Sequence, residues 1–196
     1  RMPPHTTPAY QRLGDVAFNK IEKVSAELFT LTYGAIVVQL LKDSASVEQT
    51  SAQLEKMGYN IGMRLVDEFL AKANVPSCSD FRETGEMIAR VAFRMFLGVT
   101  AECRHLSDPA LAPEATQAFH IVFSENPLSD FVELPEHCST LAYSNLLCGV
   151  VRGALEMVGM RVECELLKDT LWGHDQTVIA VTLKEIIHEQ YVDDED

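Results

Sequence analysis

The sequence predicts an α+β fold in which helices pack on a four-stranded antiparallel sheet, in the rough order ααα-ββ-α-ββ. Apolar residues recur at helical spacing through most of the first hundred positions, and they alternate with polar residues in short segments farther along. Helices and hairpin-like strand pairs that are segregated along a chain are typical of α+β domains. At 196 residues, of which 47% are hydrophobic, the chain is long enough to form one core.

The first two helices follow a lead-in that contains three prolines. We expect residues 1–11 to be flexible, because they show no apolar period. A helix is expected from Arg12 to about Ala26. For Glu27–Asp43, the β-branched residues favour a strand, whereas the length and the nearly all-round apolarity favour a buried helix, which we predict.

The helices that follow have clearer boundaries. Helical spacing covers Val47–Asn74, and Pro76 is expected to stop that helix. Asp80 is predicted to cap the next helix, with Glu83 at its third position as in a capping box, and this helix runs to about Leu97.

The second half of the chain alternates between strand and helix patterns. Prolines and small residues predict a loop over Thr100–Gln117. A helix is predicted over Leu141–Met157, in which a small face of Ser144, Cys148, Gly149 and Gly153 permits close packing of a neighbouring helix. Strands are predicted at Ala118–Phe123, at Asp130–Leu134 after an Asn126-Pro127 turn, and at Arg161–Leu167 and Thr177–Ile187, which a turn at Gly173 joins. Residues 12–191 are interpreted as one domain and 192–196 as an acidic tail.

Charge and cysteine usage exclude several classes of function. A net charge of −13 disfavours binding to the phosphates of a nucleic acid, so no nucleic-acid partner is expected. No apolar run approaches the roughly 20 residues that a bilayer requires, and no secretory signal is recognisable. Five cysteines at irregular spacing, without a C-x-x-C pair, indicate reduced thiols in the cytoplasm.

The motifs that would bind a nucleotide or a metal are missing from the sequence. Neither phosphate-binding glycine pattern occurs. Cys103 with His105, or His137 with Cys138, would give two metal ligands each, but neither has a convincing second pair, so no metal is predicted. A Cys–His nucleophile built on Cys78 stays an alternative, although no local signature supports it.

Cys78 lies in the joint between two strongly apolar helices, where a thiol is reachable and the apolar faces could leave a tunnel. Four separate motifs resemble the Bet-three-type small core subunits of TRAPP, the transport protein particle that tethers vesicles. The likeness spans about residues 24 to 190. The motifs are Glu27–Gly34, Met57–Gly62, Asn126–Leu128 with Asp130–Pro135, and Tyr143–Gly149.

The resemblance implies an α+β fold with an internal hydrophobic channel and no catalytic residues. It also implies a homodimer, or a heterodimer with related small subunits, in a complex that promotes nucleotide exchange on a Rab GTPase. The location would be cytoplasmic and peripheral at the early Golgi, in transport from the endoplasmic reticulum. The family's loop cysteine, matching Cys78, carries a palmitoyl thioester inside the channel, and we expect that lipid to be structural.

Further expectations concern the channel and the tail. Gly85, Ala89 and Ala92 recur at helical spacing after Cys78, so we expect them to line the channel. The resemblance implies that the acidic tail residues Asp193, Asp194, Glu195 and Asp196 match a family segment that can reach the GTPase. The loop over Thr100–Gln117 departs from the family pattern. Two alternative functions stay open. The protein could be a carrier that holds a fatty ligand reversibly, or an acyltransferase that depends on Cys78.

Overall fold

The computed structural model describes residues 7–106 and 117–187. Its four strands form one sheet, in which every neighbouring pair is antiparallel, and they lie side by side in the order Glu102–His105, Ala118–Phe123, Thr177–Ile186 and Met160–Lys168. The predicted α+β class and the four-stranded sheet are therefore confirmed. In chain order the elements are α1 (Thr7–Lys20), α2 (Ala26–Asp43), α3 (Val47–Ala73), α4 (Phe81–Met87), a π-helical turn (Ile88–Ala92), α5 (Phe93–Leu97), β1 (Glu102–His105), β2 (Ala118–Phe123), α6 (Asn145–Met157), β3 (Met160–Lys168) and β4 (Thr177–Ile186).

The helix boundaries follow from local chemistry. Ser25 caps α2 by accepting a hydrogen bond from the backbone N–H of Leu28, and Ser46 caps α3 in the same way. The ambiguous segment Glu27–Asp43 is thus helical, as predicted. Asn74 adopts the left-handed conformation that ends α3, with φ of 50°, shortly before Pro76.

The first helix begins earlier than the sequence predicts. It starts at Thr7 and not at Arg12, so residues 7–11 of the expected lead-in are helical, and it ends at Lys20. Tyr10 is buried against Met87 and Val91, which gives this segment a packing reason to be ordered that no apolar period reveals. Residues 1–6 lie outside the described part of the chain.

The sheet contains four strands, but one prediction was wrong about which segments form them. Asp130–Leu134 is not a strand: its backbone turns, with Asp130 N–H bonded to Asn126 O, and Phe131 is exposed. β1 instead lies inside the predicted loop Thr100–Gln117 and pairs with β2, Cys103 opposite Ile121. Four residues are too few to show a period of two. Positions 107–116 of that loop lie outside the described residues.

The motifs that carry the resemblance meet in space. Thr30 Oγ1 donates to Pro127 O, and Tyr33 Oη donates to Tyr143 O, both at 2.6 Å. Asn126 Nδ2 donates to Ser144 Oγ at 2.9 Å. These bonds fix α2 against the turn at 126–130 and the start of α6.

α6 packs against α3 on one side and against β3 on the other. The predicted small face is used as expected: Cβ atoms added at Gly149 or Gly153 would overlap the backbone of α3 at Glu55 or Tyr59. Gly58 of α3 meets the carbonyl of Leu146 in the reciprocal way. The two backbones therefore approach closely because both helices lack side chains at the crossing.

Aromatic pairs connect α4 and α5 to the sheet. Phe81 packs on Phe119 with ring centroids 5.0 Å apart, and Phe93 packs on Phe123 at 5.3 Å. Among residues 7–106 and 117–187, none of the helices combines the length and the apolarity that crossing a membrane would need.

Candidate functional site: an apolar cavity beside Cys78

An apolar cavity of about 570 Å³ lies between α3, the π-helical turn and α6. Its volume falls within the roughly 300–1,000 Å³ of typical small-molecule sites. The cavity extends from the 75–78 loop to Met160 at the start of β3. Its walls include Leu65, Phe69, Ile88, Ala92, Val151 and Leu155. Among the described residues that line it, the polar side chains are those of Ser77, Cys78 and Thr84.

The loop that carries Cys78 is bounded by two helix caps. Asn74 ends α3 in the left-handed conformation, and Asp80 begins α4, where its Oδ1 accepts a hydrogen bond of 2.7 Å from the N–H of Glu83. The predicted N-cap is confirmed. Between the caps the chain has no helical hydrogen bonds, so the half-buried Cys78 side chain can reach the cavity.

Glu83 holds this loop in place. Its Oε2 accepts hydrogen bonds from Ser79 N at 2.7 Å and Ser79 Oγ at 2.8 Å. In a standard capping box the carboxylate would return to the N–H of the capping residue itself. Here it reaches one residue farther, next to Cys78, while its Oε1 accepts a bond from Tyr10 Oη of α1.

The surroundings of Cys78 keep its thiol protonated near neutral pH. Burial raises the pKa of Cys78, the negative charges of Glu83 and Asp80 raise it further, and a hydrogen bond with Thr84 partly opposes them. Because the thiolate is the nucleophilic form, Cys78 is accessible to the cavity but not strongly activated. No histidine is among the residues that line the cavity in the described part of the chain.

The residues predicted for the channel separate into two groups. Ala92 lines the cavity, as does Cys78. Gly85 and Ala89 do not: Gly85 lies against Cys103 and Phe119 of the sheet, and Ala89 is fully buried in the main core. The tail residues Asp193, Asp194, Glu195 and Asp196 lie outside the described residues.

Sequence reasoning missed two groups that shape the site. Tyr10 lay in the segment expected to be flexible, and nothing in the sequence pairs it with Glu83. The wall supplied by α6 was also missed, although Val151 and Leu155 recur at helical spacing and could have been assigned to an apolar face.

The fold and the cavity together define an α+β domain with an apolar cavity beside a loop cysteine. Residues 29–182 match the family described as "Transport protein particle (TRAPP) component". The chain is 52% identical over 179 residues to Trafficking protein particle complex subunit 3 of Dictyostelium discoideum. The aligned region covers 91% of this chain and 93% of the relative. It is 41% identical over 174 residues to Trafficking protein particle complex subunit BET3 of Saccharomyces cerevisiae. That aligned region covers 88% of this chain and 87% of the relative. The chain therefore belongs to the TRAPP component family.

A solved structure agrees with the fold and bears on the cavity. The crystal structure of a trafficking protein particle complex subunit 3 from Naegleria fowleri, covalently bound to palmitic acid, is 51% identical, with a TM-score of 0.78. The comparison covers 86% of this chain and 100% of that one.

Proposed function

We propose that this chain is a non-catalytic adaptor subunit of a TRAPP tethering complex, and that its cavity holds a palmitoyl chain joined by a thioester to Cys78. The observation that carries the lipid proposal is the apolar cavity of about 570 Å³ with Cys78 among its lining residues. The relative from Naegleria fowleri with covalently bound palmitic acid supports it.

Burial of the acyl chain would contribute substantially to stability. About fifteen carbon groups at roughly 0.8 kcal/mol each give on the order of 10 kcal/mol before entropy and strain are subtracted. An acyl chain inside the cavity cannot also insert in a bilayer. The lipid would thus act as part of the core and not as a membrane anchor.

Attachment requires only Cys78 and an activated fatty acid. The Cys78 thiol first releases its proton to solvent, and the thiolate attacks the carbonyl carbon of an acyl thioester such as palmitoyl-CoA. A new S–C bond forms, the C–S bond of the donor breaks, and the released donor thiolate takes up a proton from solvent. The cavity then holds the chain close to where the bond forms, which favours the acylated state.

Assembly with other subunits is supported by the surface of α2. Leu28, Leu31 and Val38 lie at helical spacing and are 62%, 72% and 51% exposed. An apolar stripe of this kind is typical of a protein interface. We assign it to contact with a second copy or with a related small TRAPP subunit. In the assembled complex the chain would contribute to nucleotide exchange on a Rab GTPase, peripherally at the early Golgi, in transport from the endoplasmic reticulum.

The acidic tail is proposed to reach that GTPase. Its support is composition alone, since Asp193, Asp194, Glu195 and Asp196 would repel phosphate or compete for magnesium near a bound nucleotide. Deleting residues 192–196 should slow exchange by the reconstituted complex, and an unchanged rate would remove the tail from the proposal.

The lipid proposal is tested by intact-protein mass spectrometry before and after neutral hydroxylamine. A long-chain acyl mass that hydroxylamine removes, that is missing in Cys78→Ser and that persists in the control Cys164→Ser would establish the thioester. A lipid that organic solvent extracts without hydroxylamine would favour the reversible carrier instead. Time-dependent turnover of an acyl thioester, with transfer of the acyl group to an acceptor, would favour the acyltransferase.

A further inference from the structure

Three side chains with metal-binding atoms converge between α4 and β1. His105 Nε2 lies 3.2 Å from Glu86 Oε1 and 3.5 Å from Cys103 Sγ. All three ligand atoms lie within 4.8 Å of one another. Cys103 is buried, and the side chains of Glu86 and His105 are only 21% and 12% exposed. The three groups thus face one another in a space that is largely shielded from water.

The fold brings this cluster together by strand geometry and by a glycine. Cys103 and His105 are two residues apart on β1, so their side chains lie on the same face of the sheet. A Cβ at Gly85 would lie 2.9 Å from Cys103 Sγ. Because glycine stands there, α4 approaches the strand closely enough for the next residue, Glu86, to reach both side chains. Gly85 therefore permits the close contact between α4 and the sheet and is not among the residues that line the cavity.

We propose that Glu86, Cys103 and His105 bind a zinc ion at three corners of a tetrahedral site. Zinc bonds of about 2.0–2.2 Å to nitrogen or oxygen and about 2.3 Å to sulfur place neighbouring ligand atoms roughly 3.3–3.6 Å apart. The two measured separations from His105 Nε2 are close to these values. Thiolate, imidazole and carboxylate are also the ligand types that zinc prefers.

The charges around the cluster are compatible with a divalent cation. Glu86 and a Cys103 thiolate supply two negative charges. Arg90 Nε binds the other carboxylate oxygen, Glu86 Oε2, at 2.6 Å, which leaves Oε1 directed to His105. Arg90 thereby orients the carboxylate as an outer partner of the ligand, although its positive charge and that of nearby Arg82 oppose the ion.

A hydrogen-bonded trio without metal is the competing interpretation, and the thiol distinguishes the two. In the hydrogen-bonded trio the Cys103 thiol retains its S–H bond and contacts His105 Nε2. On binding, zinc replaces that proton: the S–H bond breaks, the S–Zn bond forms, and the proton passes to solvent. The bound ion would connect β1 to α4, whose Thr84 and Met87 line the cavity.

The test uses the full chain, reduced, stripped of metal with a chelator and then titrated with Co²⁺ and with Zn²⁺. One equivalent of Co²⁺ should produce a thiolate-to-cobalt charge-transfer absorption that Zn²⁺ abolishes. Cys103→Ser should lose this absorption, whereas the control Cys164→Ser should keep it. His105→Ala and Glu86→Gln should each weaken Zn²⁺ binding about tenfold or more.

Circular dichroism establishes whether each variant is folded. If Cys103→Ser does not fold, the Zn²⁺ affinity of His105→Ala tests the proposal in its place. The proposal is overturned if the unmutated chain shows no charge-transfer absorption, or if the absorption persists in folded Cys103→Ser. It is also overturned if His105→Ala binds Zn²⁺ as tightly as the unmutated chain. None of these outcomes depends on whether Cys78 is acylated.

Discussion

Tyr10 Oη donates a hydrogen bond of 2.9 Å to Glu83 Oε1, joining α1 to α4 across 73 positions of the sequence. The same carboxylate accepts two bonds from Ser79, the neighbour of Cys78. One side chain of α4 therefore couples the position of α1 to the loop that carries the Cys78 thiol.

Replacing Tyr10 with Phe should loosen that loop. Loss of a partly buried hydrogen bond to a charged group should lower the free energy of unfolding by about 1.5–3 kcal/mol. In unacylated protein, Cys78 should also react faster with a thiol reagent. Urea unfolding and timed alkylation measure the two effects. Tyr59→Phe is the control, because the Tyr59 hydroxyl bonds Glu156 at a partly exposed site and should contribute less. Equal losses for the two variants would contradict the assigned role of Tyr10.

Ala92 is the position at which a larger side chain should displace the lipid. Ala92→Leu adds three carbon atoms to the wall of the cavity, and overpacking of this kind costs about 1–3 kcal/mol. Loading of the purified chain from palmitoyl-CoA, followed by intact mass, should fall between about fivefold and a hundredfold. Ala71→Leu makes the same change at an exposed position of α3 and should load normally. Full loading of Ala92→Leu would place the acyl chain elsewhere.

Of the three small residues predicted to line a channel, Ala92 lines the cavity whereas Gly85 and Ala89 do not, and the reason is the π-helical turn. Gly85, Ala89 and Ala92 would share one face of a regular α-helix. The wider turn at Ile88–Ala92 contains an extra residue, which rotates the side chains that follow by about 100°. Gly85 and Ala89 therefore face the sheet and the core while Ala92 faces the cavity. No local signal in the sequence announces such a turn.

The long helices and the strands β2, β3 and β4 could be predicted because each carries several repeats of its period. β1 could not, since it has four residues and depends on its partner β2. The Glu86–Cys103–His105 cluster escaped prediction for a similar reason. Two of its members were noticed as neighbours in the sequence, but the third comes from α4 and meets them only in the fold.

Acylation of Cys78 should accelerate as the pH rises. The pKa of Cys78 is raised by burial and by Glu83 and Asp80, so the thiolate fraction is small at pH 7. That fraction grows about tenfold per pH unit below the pKa, and the initial rate of loading from palmitoyl-CoA should grow with it. A rate that does not change between pH 7 and pH 8 would show that thiolate formation is not limiting.

Asp80→Asn separates charge from structure in the same assay. The Asn side chain keeps an oxygen that can cap α4, but it removes a negative charge near Cys78. The pKa of the thiol should fall, so loading at pH 7 should be faster than in the unmutated chain, with the difference vanishing at high pH. Asp67→Asn, an exposed charge on α3, should have no effect. A slower rate for Asp80→Asn would indicate that the carboxylate assists the reaction.

Gly149→Ala should destabilise the fold even though alanine favours a helix. The added Cβ would overlap the carbonyl oxygen of Glu55 and lie 2.7 Å from the backbone nitrogen of Tyr59, and backbone atoms cannot rotate away. Separating α3 from α6 should cost about 1–3 kcal/mol beyond the gain of about 1 kcal/mol in helix propensity. Urea unfolding measures the net change. Gly34→Ala is the matched control: its Cβ would meet only Tyr143 Oη, at an ordinary 3.6 Å, so this variant should be stabilised by about 0.5–1 kcal/mol. If both variants gained stability alike, the close approach of α3 and α6 would not require glycine at position 149.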